Sequence, residues 1–165
     1  LEASYATDQA LNILGRTIDD LPNRPDFSVI TLWDVLEHIP EPIAYLKRLK
    51  SHLRPAGLVF VQVPTSDSLA ARVLREACNM FDGIEHLTLF SANSLDIAFE
   101  RAGYTLVERQ SVISESHALR NYLSYEQDPY LSTPEAPFTA QFLSPDLIEK
   151  SGLGYKIQAV YKIKL

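Results

Sequence analysis

The chain has 165 residues, 46% of them hydrophobic, which suits one domain with a buried core. Its 15 Lys and Arg against 21 Asp and Glu leave a net charge of −6, the reverse of the concentrated basic face that marks a nucleic-acid binder. A single cysteine, Cys78, excludes an internal disulfide framework and a multi-cysteine zinc site, and no apolar run approaches the roughly 18–20 residues of a membrane helix. No basic and then apolar leader stands at the start, so the expected location is cytoplasmic.

The first predicted element is a short helix from Ser4 to Leu14, with Ala6, Ala10, Leu11 and Leu14 at helical spacing and Gly15 as its stop. Phe27-Ser28-Val29-Ile30-Thr31-Leu32-Trp33 lacks alternation and reads as a central parallel strand covered on both faces. Pro40 turns the chain away from helical geometry, and Pro42 then suits the first position of a new helix. Ile43, Leu46, Leu49 and Leu53 line one face of that helix, which should end before Pro55-Ala56-Gly57. Leu58 to Val63 is the next buried strand, closed by Pro64, and strand, helix, strand is the unit of a parallel α/β sheet.

Ser66 or Asp67 is expected to cap a helix carrying Leu69, Val73, Leu74 and Ala77. Ser91 is expected to cap another, with Leu95, Ala98, Phe99 and Ala102 buried and Gly103 at its end. Tyr104 to Val112 reads as a strand. At the end of the sequence Ile157, Ala159, Tyr161, Ile163 and Leu165 alternate with Lys156, Gln158, Lys162 and Lys164, the pattern of a strand with one less buried face. Residues 114–153 between these strands are rich in Tyr, Pro and Ser, and a connection of that length suggests a lid, a binding loop or a small helical insert.

The run from Phe27 through Trp33-Asp34-Val35-Leu36-Glu37-His38-Ile39-Pro40-Glu41-Pro42 resembles the fourth strand and following turn of class I S-adenosylmethionine-dependent methyltransferases. Leu53-Arg54-Pro55-Ala56-Gly57-Leu58 is similar to that family's turn into its fifth strand. Glu85-His86-Leu87 with Phe90-Ser91 resembles a branch that includes small-molecule O-methyltransferases. The resemblance implies a Rossmann-like, mostly parallel α/β sheet whose last strand is antiparallel. Residues 1–113 and 154–165 would form the methyltransferase core, and 114–153 an inserted lid or substrate-side segment. The family's Gly-rich first loop has no counterpart here and the first residue is Leu rather than Met. The expectation is therefore that the natural protein continues upstream and that this stretch alone binds the cofactor poorly.

The resemblance also implies site residues. Glu2 matches the acid that accepts the ribose hydroxyls, although a solvated Glu would look the same. Thr17 and Ile18 match the stretch that meets the adenine, where Asp19 and Asp20 equally suit a polar turn. Trp33 and Asp34 match the place where the methionine part of the cofactor is touched, and Trp33 equally suits the core.

If residues 34 to 38 form one helical turn, Asp34, Glu37 and His38 converge, and with His86 they would suit a divalent metal. The set is similar to the metal site of small-RNA 3′-terminal methyltransferases and some ubiquinone-pathway O-methyltransferases. The plainer reading is of acids favouring a helix start and histidines in structural hydrogen bonds. Without metal, His38 or His86 is the candidate general base.

The expectation is methyl transfer to a small molecule, most simply at a hydroxyl oxygen. Alternatives are a non-catalytic methyltransferase-like interaction domain and a metal-dependent RNA 3′-end methyltransferase, the latter opposed by the acidic charge. A metal-dependent hydrolase lacks any supporting motif.

Overall fold

The computed structural model describes residues 12–112 and 144–164. Glu2, the expected helix up to residue 11, residue 113 of the expected core, residues 114–143 of the insert and Leu165 lie outside the described residues. Asn12 to Leu14, the described end of that expected helix, are irregular and exposed.

Among the described residues four strands form one sheet in the order β1-β2-β4-β3: β1 Phe27–Trp33, β2 Leu53–Pro64, β3 Tyr104–Val112 and β4 Lys156–Ile163. β1 and β2 are parallel, and β4 is antiparallel to both β2 and β3. Three strands therefore run one way and the last runs against them, as expected of the α/β class. Helix α1, Pro42–Lys50, links the parallel pair and begins with its proline at the first turn, where a missing N–H costs nothing.

One boundary and one burial pattern differ from expectation. Leu53 is not the last turn of α1 but the first residue of β2, and it pairs with Phe27. The register then jumps, because Val29 pairs with Leu58, so residues 54–57 bulge out of the ladder. Ala56 has φ +61°, and a Cβ on Gly57 would meet the Arg54 carbonyl at 2.9 Å. The Pro-Ala-Gly segment shapes this bulge inside the strand instead of a loop before it. The second difference concerns β1, where Val29 and Trp33 are 51% and 55% exposed among the described residues. Among the described residues β1 is an edge strand that pairs only with β2.

The core lies between the sheet and the helices. Val59, Val61 and Val63 of β2 are fully buried, as are Leu46 of α1 and Leu95 and Phe99 of α3, Ala92–Arg101. Each such side chain contributes roughly 1.5–3 kcal/mol by leaving water. Phe99 stacks on Tyr161 at 3.7 Å between centroids and meets Tyr104 edge-on at 5.5 Å. Ser91 caps α3 by accepting from the Ser94 N–H, and Gly103 at φ +89° ends it as expected.

Helix α2, Leu69–Leu74, is capped by Ser68 rather than Ser66 or Asp67. Asp67 instead accepts from the Ala92 N–H at the start of α3. The buried face of α2 is Ala70 and Ala71, while Val73 is exposed. A second apolar cluster joins Ala70, Ala71, Cys78 and Met80 to Ile148 of helix α4, Pro145–Lys150, and to Tyr155. Cys78 is buried there, and burial pushes its thiol up. No helix among the described residues is long and apolar enough to cross a membrane.

Candidate functional site

The carboxyl ends of β1, β2 and β3 and the start of β4 meet at one end of the sheet, where ligands gather in open α/β folds. Asp34 follows β1 there with φ +50°, a left-handed conformation that is uncommon outside glycine. That kink separates it from the short 3₁₀ turn Leu36–His38, so one regular turn over 34–38 does not form. The Asp34 carboxylate points to the sheet instead. Its Oδ2 accepts from Lys156 Nζ at 2.9 Å and from Gln62 Nε2 at 3.1 Å. The side-chain amides continue across the strands, Gln158 donating to Gln62 at 2.8 Å and Gln110 to Gln158 at 2.8 Å.

The convergence expected of four residues is met by three. Glu37, His38 and His86 each bring one candidate ligand atom within 4.8 Å of the others, and Asp34 is outside this group. Glu37 is 1% exposed, and neither carboxylate oxygen has a hydrogen-bond partner among the described residues. Burial pushes its carboxyl above the ordinary range, and the nearby Asp34 charge adds to that. Its Oε1 lies 3.8 Å from Nε2 of His38. The imidazoles of His38 and His86 stack with centroids 5.0 Å apart.

Backbone contacts hold this group. The Glu37 carbonyl accepts from the Leu87 and Thr88 N–H groups, which ties the 3₁₀ turn to the loop carrying His86. His38 Nδ1 donates to the Glu85 carbonyl at 2.8 Å, and His86 Nδ1 lies 3.1 Å from the Met80 carbonyl and 3.0 Å from Asp82 Oδ2. Asp34, Glu37, His38, Asp82, Glu85, His86 and Lys156 line one cavity of about 340 Å³.

The remaining predicted residues are elsewhere. Thr17 and Ile18 line a separate cavity of about 550 Å³ that runs along β1 from Phe27 to Leu32 and reaches Val35. The carboxylates beside them are committed to other partners. Asp20 accepts from the Thr17 and Arg16 N–H groups, which hold its carboxyl below the usual range, and Asp19 pairs with Arg48. Trp33 is half exposed rather than core, packs on Phe60 with centroids 4.5 Å apart and lines neither of these cavities. Sequence reasoning missed Asp82 and Lys156. Asp-Gly at 82–83 was a readable turn signal, whereas nothing local marks Lys156 among alternating lysines.

Three solved structures illustrate the likeness. A SAM-dependent methyltransferase from Thermotoga maritima, titled a possible histamine N-methyltransferase, superposes with TM-score 0.64 at 16% identity over 98% of this chain and 69% of its own. A SAM-dependent methyltransferase from Archaeoglobus fulgidus gives 0.57 at 11%, covering 98% and 72%. The 1,6-didemethyltoxoflavin-N1-methyltransferase of Burkholderia thailandensis, with S-adenosylhomocysteine bound, gives 0.54 at 15%, covering 99% and 56%. At these identities the likeness is one of fold, and the chain spans between 56% and 72% of their lengths. No curated protein matches the sequence. A family model of the methyltransferase domain matches residues 5–109, more than half of the chain, and with this fold the chain belongs to the class I S-adenosylmethionine-dependent methyltransferase family.

Proposed function

We propose that the chain serves S-adenosylmethionine-dependent methylation of a small-molecule acceptor, at a hydroxyl oxygen. The observation that carries this reading is the pair of stacked imidazoles at the carboxyl ends of the strands, each with Nδ1 against a backbone carbonyl. The cofactor, when bound, supplies an electrophilic methyl on sulfonium sulfur. In transfer to a hydroxyl oxygen, with the sulfonium sulfur as leaving group, Nε2 of His38 or His86 would take the acceptor's proton. Thr17 and Ile18, beside the β1 cavity, would meet the adenine, and a volume of about 550 Å³ is ample for that ring. Glu2 would accept the ribose hydroxyls. Asp34 would act near the methionine end while held by Lys156 and Gln62. The net charge of −6 favours a small acceptor over RNA.

One observation favours a divalent metal as a further component. The Glu37 oxygens are buried with no hydrogen-bond donor among the described residues, and two imidazoles lie beside them. A carboxylate with two imidazoles suits a first-row transition ion better than magnesium or calcium. Such an ion would act as a Lewis acid toward the acceptor.

Calorimetric titration of S-adenosylhomocysteine into the whole protein tests the cofactor reading, and saturable heat is expected. Absence of heat would favour an interaction domain. For the metal, the melting temperature should rise with manganese or zinc in the natural chain and not in Glu37→Gln.

A further inference from the structure

The turn that carries His86 is organised around one carboxylate that neither the motif nor the fold singles out. Asp82 Oδ1 accepts from the backbone N–H groups of Ile84 at 2.8 Å, Glu85 at 2.9 Å and His86 at 3.2 Å. Three N–H groups on one oxygen leave that oxygen no role but acceptor. The other oxygen of Asp82, Oδ2, lies 3.0 Å from His86 Nδ1, the nitrogen whose hydrogen bond goes to the Met80 carbonyl at 3.1 Å. Gly83 supplies φ +65° at the turn. The same turn brings the Glu85 carbonyl to 2.8 Å from His38 Nδ1.

Carbonyls and carboxylates cannot donate. A hydrogen bond between Nδ1 and a carbonyl therefore requires the proton to sit on Nδ1. In a neutral imidazole that leaves Nε2 with a bare lone pair, the state needed to take a proton or to ligate a metal.

We propose that Asp82 is the positioning residue of this site: its Oδ1 shapes the turn that presents Glu85 to His38, and its Oδ2 orients His86, so both imidazoles present an unprotonated Nε2. This rests on the reading of the histidines as the working groups. It assigns Asp82 no contact with substrate.

Asn at position 82 separates the two roles. Its amide oxygen still caps the turn, while its NH₂ replaces the carboxylate oxygen beside His86 Nδ1 and competes as a donor with the bond from that nitrogen to the Met80 carbonyl. The experiment is long-range ¹H–¹⁵N NMR of histidine-labelled whole protein, with the rings neutral and no cofactor or metal added. In the natural protein both rings should show the Nδ1–H tautomer. In Asp82→Asn the Ile84 and Glu85 amide signals should persist and His38 stay unchanged, while His86 shifts toward the Nε2–H form. Asp82→Ala should displace the amide signals and disturb both rings.

An Nε2–H tautomer for His86 in the natural protein overturns the proposal without any variant. So does an Asp82→Asn protein with an intact turn and an unchanged His86. Because the readout needs no cofactor, its failure is distinct from failure of S-adenosylhomocysteine to bind.

Discussion

Lys156, the first residue of β4, donates to Oδ2 of Asp34, the residue after β1, at 2.9 Å. Their side chains are 12% and 37% exposed, and β2 lies between their strands in the sheet. The ion pair and the Gln62 amide hold Asp34 while its backbone stays in the left-handed region. Lys156→Met should cost about 1–3 kcal/mol, because the half-buried carboxylate loses its charged donor. Lys156→Arg should restore part of this. Urea unfolding checks both, and a Met variant as stable as the natural chain refutes the claim.

Glu37→Gln should stabilise the protein. The folded carboxyl titrates above its ordinary value of 4.5 because it is buried, so the folded state binds its proton more tightly than the unfolded chain. Stability is then lost as pH rises from that ordinary value through the raised one. The neutral amide removes that loss. Its advantage should be absent near about pH 4 and reach on the order of 1 kcal/mol at neutral pH. Thermal melts of both proteins, metal-free, across that range are decisive; a gain that shrinks as pH rises contradicts the assignment.

Phe99→Ala should be the most damaging of these substitutions. The ring is fully buried, stacks on Tyr161 and meets Tyr104 edge-on. Removal of such a ring typically costs about 3–5 kcal/mol. The denaturant midpoint should fall accordingly with the slope unchanged.

His38→Ala and His86→Ala should each lower methyl transfer by roughly 10²–10⁴-fold if the ring is the base. S-adenosylhomocysteine affinity should stay at the natural level, since neither ring is assigned to the cofactor. Radiolabelled cofactor with a panel of hydroxylated acceptors reads the first quantity, and calorimetry reads the second. Full methyl transfer by both variants would remove the base assignment.

Much of the fold was legible in the residues because it depends on local and periodic properties. The strand over Phe27–Trp33, the helix start at Pro42, the cap at Ser91 and the alternation after Lys156 all follow from backbone preference and the spacing of apolar side chains. The caps at 66–68 were harder, because three neighbouring residues can all accept from a helix start. Packing gave Ser68 to α2 and Asp67 to α3.

The sequence by itself determined that an acid-acid-imidazole motif follows a strand and that a second histidine lies far along the chain. Tertiary structure alone decided which of them meet. One positive φ at Asp34 sends its carboxylate to Lys156, a partner from the last strand, while the 82–86 turn brings His86 onto His38. A backbone angle depends on what the rest of the fold can satisfy, and a contact between distant segments depends on how strands are ordered. Neither is encoded in the spacing of the residues involved.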